Sequence, residues 1–171
     1  DPLNEVKVDF TLEDTEQLDS LTLKISGIDG SLVPVSNRQA VELDNPSGTF
    51  LVTLTRDREN EKPISMPATE KEKYTASTDS YQSDDTRIKN LAKEIVGAET
   101  NFIKATELLK SWVFDNLSPT WKKNESSAIR VLENMAGDCT EYTLLFVSLA
   151  RSLGMPAREA FGLKYSVDPY P

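Results

Sequence analysis

Hydrophobic and polar residues alternate in three stretches within the first third of the chain. The alternating apolar residues are Val6, Val8 and Phe10, then Leu21, Leu23 and Ile25, then Phe50, Val52 and Leu54. A period of two is typical of half-buried β-strands. Turn-forming sequences, Asp29-Gly30 and residues 45–48, lie between the second and third stretches. We therefore predict a small antiparallel β-domain over residues 1–65.

The next interval, residues 66–84, contains few large apolar side chains. It is rich in Thr, Ser, Glu and Lys, and Tyr74 and Tyr81 are its bulky residues. We predict a linker or an extended crossing strand here.

From Asp85 onward the apolar residues recur at helical spacing. Amphipathic helices are predicted over residues 85–96, 101–117 and 127–135, each with one apolar stripe. A fourth helix begins near Cys139 and has almost no polar face, which is typical of a helix surrounded by protein. Gly154 and Pro156 end it, and residues 157–165 are predicted to form a strand interrupted by Gly162.

Charge and composition narrow the classes of function. The chain has 171 residues with 28 acidic and 19 basic side chains, a net charge of −9. This excess of acidic groups argues against a nucleic-acid partner, because phosphate affinity comes mainly from clustered Lys and Arg. The longest apolar run is too short for a transmembrane segment, so none is expected in this chain.

Histidine is absent and Cys139 is the single cysteine. The chain therefore has no internal disulfide, no imidazole base and no complete Cys-His pair of its own. Zinc sites commonly need the same side chains, so we expect neither a metal site nor a cofactor.

The sequence Asp138-Cys139-Thr140-Glu141 fits a helix capping box in which Asp138 takes the place of Ser or Thr. Cys139 then occupies the first helical position, where free backbone amides favour a thiolate by about 0.3–1 kcal/mol. The neighbouring acidic groups oppose this effect, so a cationic partner is needed for a reactive thiolate. A cysteine beside an apolar helix is also often a small packing residue, and both interpretations stay open at this point.

The run 137–142, together with 145–146, 149–151, 153–158 and 162–165, resembles the transglutaminase-like superfamily of papain-type cysteine enzymes, including its bacterial members. The resemblance implies that Cys139 is the catalytic nucleophile of a Cys-His-Asp triad, whose His and Asp lie on later strands. For residues 85–171 it also implies the helical half of a transglutaminase-like (cysteine-proteinase-type) core with its first sheet strand. Together with the small N-terminal antiparallel β-domain predicted from the alternating pattern, which carries no motif of this family, this gives an expected α+β fold.

Because the triad histidine would follow the expected strand, we expect the core to be truncated at its C-terminal end. The implied activity is attack on an amide or peptide bond of a protein or peptide substrate through a thioester, by crosslinking or by hydrolysis. Asp168-Pro169 is not assigned the third triad role, because no His precedes it. The chain alone is expected to be inactive.

A second interpretation is a non-catalytic binding or interaction module of a larger, cell-envelope protein. A truncated core would also leave the apolar helix uncovered, which predicts a homodimer, a domain swap or packing of the β-domain against it. The compartment stays open, with an extracytoplasmic or cell-envelope location favoured. Trp112 is predicted to pack in the core, Trp121 either to pack or to line a cleft, and Arg151 and Arg158 to bridge helix and strand.

Overall fold

The computed structural model describes residues 8, 10–44, 48–56, 66–121, 125–162 and 165. The chain divides into two compact units, one formed by Asp1–Pro63 with Tyr165–Pro171 and the other by Ile64–Lys164. Each unit is described by itself below.

The first unit contains a three-stranded antiparallel sheet in the order β1-β3-β2. Its strands are β1 (Ser20–Ile25), β2 (Gln39–Asp44) and β3 (Thr49–Thr55). The central strand β3 supplies the buried side chains Phe50 and Val52, which lie on one face of the sheet. Val52 pairs with Leu23 on one side and with Val41 on the other. The apolar alternation therefore packs on one face, as a half-buried sheet requires.

The alternating pattern predicted β1 and β3 but not β2. In β2 the alternation is limited to Val41 and Leu43, and Leu43 is 75% exposed at the edge of the sheet. The strand predicted around residues 6–10 falls largely outside the described residues, and Val8 and Phe10 belong to no strand. β1 is an edge strand too, but it has three alternating apolar residues, Leu21, Leu23 and Ile25, whereas β2 has two.

The second unit is helical. Its elements are α1 (Ala68–Thr75), α2 (Thr86–Val96), α3 (Phe102–Asn116), β4 (Ser118–Pro119), α4 (Ala128–Asn134), β5 (Ala136–Gly137) and α5 (Cys139–Ser152). The boundaries of α2, α3 and α4 lie within one residue of those predicted. Together with the preceding sheet, these helices confirm the α+β class.

Helix α1 was not predicted, since the interval 66–84 was expected to be a linker or a crossing strand. The helix has no buried residue. Its sequence, ATEKEKYT, is made of helix-compatible polar residues without an apolar stripe. A helix shows in the hydrophobic pattern only when one of its faces is apolar and packs against the core. α1 has almost no such face, so the pattern does not indicate it.

Helix α5 lies at the centre of the helical unit, in contact with α2, α3 and α4 and more lightly with α1. Its buried apolar side chains are Leu144, Leu145, Val147, Leu149 and Ala150. Helices of the same chain thus bury these apolar side chains, for which a second copy, a swapped segment or the β-domain was expected. A single chain does not test the predicted homodimer or domain swap, which stays a prediction. No helix among the described residues has the length and apolar character needed to cross a membrane.

The strand predicted over residues 157–165 is wrong for its described part. Residues 157–162 form an irregular segment, and residues 163–164 lie outside the described part of the chain. Arg151 holds the start of this segment, since its Nε donates to the Ala157 carbonyl at 2.9 Å. The backbone amide of Ala157 donates to Tyr74 of α1 at 3.0 Å, so the segment packs against a helix instead of a sheet.

We expect Leu145→Ala to lower the free energy of unfolding of the helical unit by about 2–5 kcal/mol, because Leu145 is fully buried and the substitution leaves a cavity. The control is Leu108→Ala, at a position 42% exposed on α3, which should change it by about 0.5 kcal/mol or less. Urea unfolding followed by tryptophan fluorescence measures both, because Trp112 and Trp121 belong to this unit. Equal losses would contradict the central position of α5.

Candidate active site

Cys139 is the first residue of α5, and its thiol is free and exposed to solvent. The helix behind it is buried along most of its length. The sulfur therefore lies where a helix of the core reaches the surface, beside backbone amides that have no carbonyl partner within the helix. This is the position predicted from the sequence.

Asp138 caps α5 in the predicted way. Its Oδ1 accepts a hydrogen bond from the Thr140 amide at 2.9 Å, and it also accepts from the amide of Glu141 to complete the capping box. Its carbonyl accepts from the Tyr142 amide at 3.1 Å. The backbone on both sides of Cys139 is thereby held in place.

Glu141 completes the capping box, and it is far more buried than a surface cap, with only 1% of the residue exposed. Its Oε2 accepts from the Asp138 amide at 2.8 Å. Its Oε1 accepts from the Glu125 amide, also at 2.8 Å. The capping pattern predicted the first bond, but the sequence has no local signal for the second, which spans sixteen residues.

Gly137 is the residue that makes room for the Glu141 side chain. A Cβ added to Gly137 would lie 2.2 Å from Glu141 Cβ and 2.4 Å from its Cγ. Such distances are far inside van der Waals contact, and the atoms concerned are the base of a buried side chain. The glycine before the Asp-Cys pair is therefore required by close packing, since its φ is not in the left-handed region.

A short parallel strand pair aligns the chain beside Cys139. β4 pairs with β5, and the amides of Ser118 and Thr120 donate to the carbonyls of Met135 and Gly137, each at 2.9 Å. Met135 has the left-handed conformation, with φ of 48°, and this reverses the chain between α4 and β5. The segment after α3 thus runs next to the turn that leads into α5.

One first-turn amide stays available. The amides of Asp138, Thr140, Glu141 and Tyr142 all donate within the capping network. Within the described ranges, the Cys139 amide has no hydrogen-bond acceptor. Among the described residues, this donor next to the sulfur is therefore available to bind an oxygen atom of a ligand.

The two tryptophans occupy different surroundings. Trp112 packs against the core from α3, as predicted. Trp121 lies two residues after β4 and is 87% exposed, so it does not pack in the core.

Arg151 lies at the other end of α5, about 18 Å along the helix from Cys139. It is buried, donates through Nη1 to the Ala76 carbonyl at 2.9 Å, and stacks 4.6 Å from the Tyr81 ring centre. Burial, followed by the hydrogen bond to Glu159, raises the pKa of Tyr81 to about 12. Arg158 lies over Tyr74. These contacts fasten the segment after α5, and Arg151 takes no part in the Cys139 site.

No group of three or more Cys, Asp or Glu side chains in the described part of the chain is arranged to hold a metal ion. The sequence itself contains no histidine. The site therefore consists of a thiol, a free amide and a buried carboxyl group that supports the turn between them.

Residues 89–169 match the family model of the transglutaminase-like superfamily. This segment, a little under half of the chain, is similar to the transglutaminase-like superfamily. The match begins inside α2 and includes α3, α4 and α5, so it covers the whole capping network around Cys139. The resemblance drawn from the Gly-Asp-Cys run is confirmed.

Three relatives show how much of each protein the chain represents. An uncharacterised protein of Haemophilus influenzae is 33% identical over 82 residues, which are 45% of this chain and 22% of that protein. A candidate cysteine protease from Cytophaga hutchinsonii is 18% identical with a TM-score of 0.48, over 81% of this chain and 53% of the other. A candidate protease from Parabacteroides distasonis is 16% identical with a TM-score of 0.35, over 78% and 31%. The chain spans about half or less of each relative.

We expect Asp138→Ala to lower the free energy of unfolding by about 1 kcal/mol, because α5 loses its N-terminal acceptor. Asp138→Asn should restore most of this loss, since Asn is an equally good N-cap residue. Urea unfolding of the two variants beside the native chain measures the difference. If both variants lost the same free energy, the side-chain oxygen would not be what caps α5.

Proposed function

We propose that Cys139 is the nucleophile of a cysteine enzyme that acts on amide or peptide bonds of a protein or peptide substrate. The observation that carries the proposal is the exposed thiol at the first position of a buried helix, inside the segment that matches the transglutaminase-like superfamily.

The proposed reaction proceeds through a thioester. The Cys139 thiolate attacks the carbonyl carbon of the substrate, and a C–S bond forms as the carbonyl π electrons move to oxygen. The free Cys139 amide donates to this oxyanion. The C–N bond then breaks, the amine leaves with a proton from a general acid, and water or a second amine attacks the thioester to regenerate the thiol.

The proposal requires a base from outside these 171 residues, because the chain contains no histidine. Helix amides stabilise a charge at the N-terminus by about 0.3–1 kcal/mol, and the Asp138 carboxylate next to Cys139 opposes a second negative charge. The proposed mechanism therefore needs a base that accepts the thiol proton. We propose a histidine, oriented by a carboxylate, in a longer native chain.

The absence of histidine also favours a second candidate, a non-catalytic binding or interaction module. In that case the exposed Cys139 is not needed for activity or for partner binding. The first candidate function requires the Cys139 sulfur for activity and the second does not, so one substitution at Cys139 distinguishes them.

The experiment compares the longer native protein with its Cys139→Ala and Cys139→Ser variants, using casein as substrate. Ammonia release and peptide cleavage are followed separately, so that the attacked bond is identified. We expect both variants to lose activity by about a thousandfold or more, since removing a nucleophile leaves only binding and electrostatic effects. Asn101→Ala, which removes the N-cap of α3 instead, serves as the control and should stay active. Full activity of Cys139→Ala would refute the proposed nucleophile.

The 171-residue chain alone should react slowly with iodoacetamide at pH 7, in a simple second-order reaction. The physical reason is that no imidazole is present to accept the thiol proton. Mass spectrometry measures the rate, with the urea-unfolded chain as the reference for an unassisted thiol. Fast labelling that saturates with reagent concentration would show that another group activates Cys139.

A further inference from the structure

We propose that Glu141 is a positioning residue for Cys139, and that it determines the direction of the thiol and of the adjacent free amide. The inference rests on the proposed function of Cys139. It differs from a helix-capping role in its consequence: capping predicts a loss of stability only, whereas positioning predicts a loss of turnover in protein that is still folded.

The first argument is the burial of the carboxyl group. Glu141 is 1% exposed, and removing such a polar group from water is costly unless hydrogen bonds compensate. Both oxygens are in fact used, one by the Asp138 amide and one by the Glu125 amide. A capping glutamate needs only the first of these bonds, so the burial and the second bond are left unexplained by capping.

The second argument is what the two amides connect. Glu125 belongs to the segment before α4, and its own side chain accepts from Asn134 Nδ2 at 2.6 Å and lies 3.7 Å from Arg130 Nε. Asp138 is the residue directly before the thiol. Glu141 therefore ties the turn before Cys139 to a segment that α4 already holds.

The third argument is the shape of the turn. Gly137 has no space for a Cβ because the base of the Glu141 side chain occupies that place. With the Asp138 amide held by Glu141 and the Asp138 carbonyl held by the Tyr142 amide, both peptide groups that flank Asp138 are fixed. This fixed turn therefore sets the direction of the Cys139 Cα–Cβ bond and of the Cys139 N–H group.

The test uses Glu141→Gln and Gly137→Ala in the longer native protein, with casein as substrate. Gln keeps the size of the side chain but presents an NH₂ group to one of the two amides. Gly137→Ala pushes the same side chain away without changing it. The control is Leu149→Ala, which removes a fully buried side chain from the same helix without touching the turn.

We expect both variants to lower kcat by about a hundredfold with KM changed by about twofold or less, as for a displaced reacting group. Leu149→Ala should keep kcat close to that of the native protein per folded molecule, although it is less stable. Folded protein is quantified by circular dichroism before each assay. If Glu141→Gln does not fold, Glu141→Asp replaces it, because its shortened side chain reaches only one amide and should give an intermediate kcat.

Unchanged kcat in both variants would overturn the positioning role and leave Glu141 as a structural residue. A loss of kcat in Leu149→Ala equal to that in Glu141→Gln would overturn it as well. Neither result affects the proposed nucleophile, which is tested separately by Cys139→Ala. An active Cys139→Ala variant refutes the proposed function whatever the Glu141 variants do.

Discussion

A helix that protein surrounds along its length can meet solvent only at its ends. Helix α5 is in this situation, because α2, α3 and α4 cover its apolar side chains. Its N-terminus is the end that carries unpaired amides, and Cys139 lies there with its thiol exposed. The rest of the helical unit can be understood as the support that keeps this one end fixed and accessible.

The support at that end is a polar network inside the protein. Burying a carboxyl group costs free energy unless each oxygen accepts a hydrogen bond. The two oxygens of Glu141 accept from the amides of Glu125, before α4, and Asp138, after α4. Gly137 supplies the space and Asp138 supplies the remaining cap. The result is a turn in which the Cys139 amide, alone among the first-turn donors, has no acceptor among the residues that the structure describes. The stability of this turn and the proposed chemistry of Cys139 therefore involve the same few atoms.

Much of this could be predicted from the sequence because it depends on local spacing. The periodic apolar positions located α2, α3, α4 and the buried α5, and the capping box located Cys139 at the start of α5. Features that depend on distant contacts or on the lack of an apolar face were not found: the exposed helix α1, the edge strand β2 and the bond from Glu125 to Glu141. The expected strand after α5 failed for a related reason, since Arg151 and Tyr74 hold its described start against helices.

Amide hydrogen exchange of the native chain, resolved by residue with NMR, tests the account most directly. The account predicts slow exchange for the amides of Glu125 and Asp138, which donate to a buried side chain, and fast exchange for Cys139, whose amide has no acceptor in the described part of the chain. Fast exchange at Glu125 and Asp138, or a Cys139 amide as protected as theirs, would contradict it.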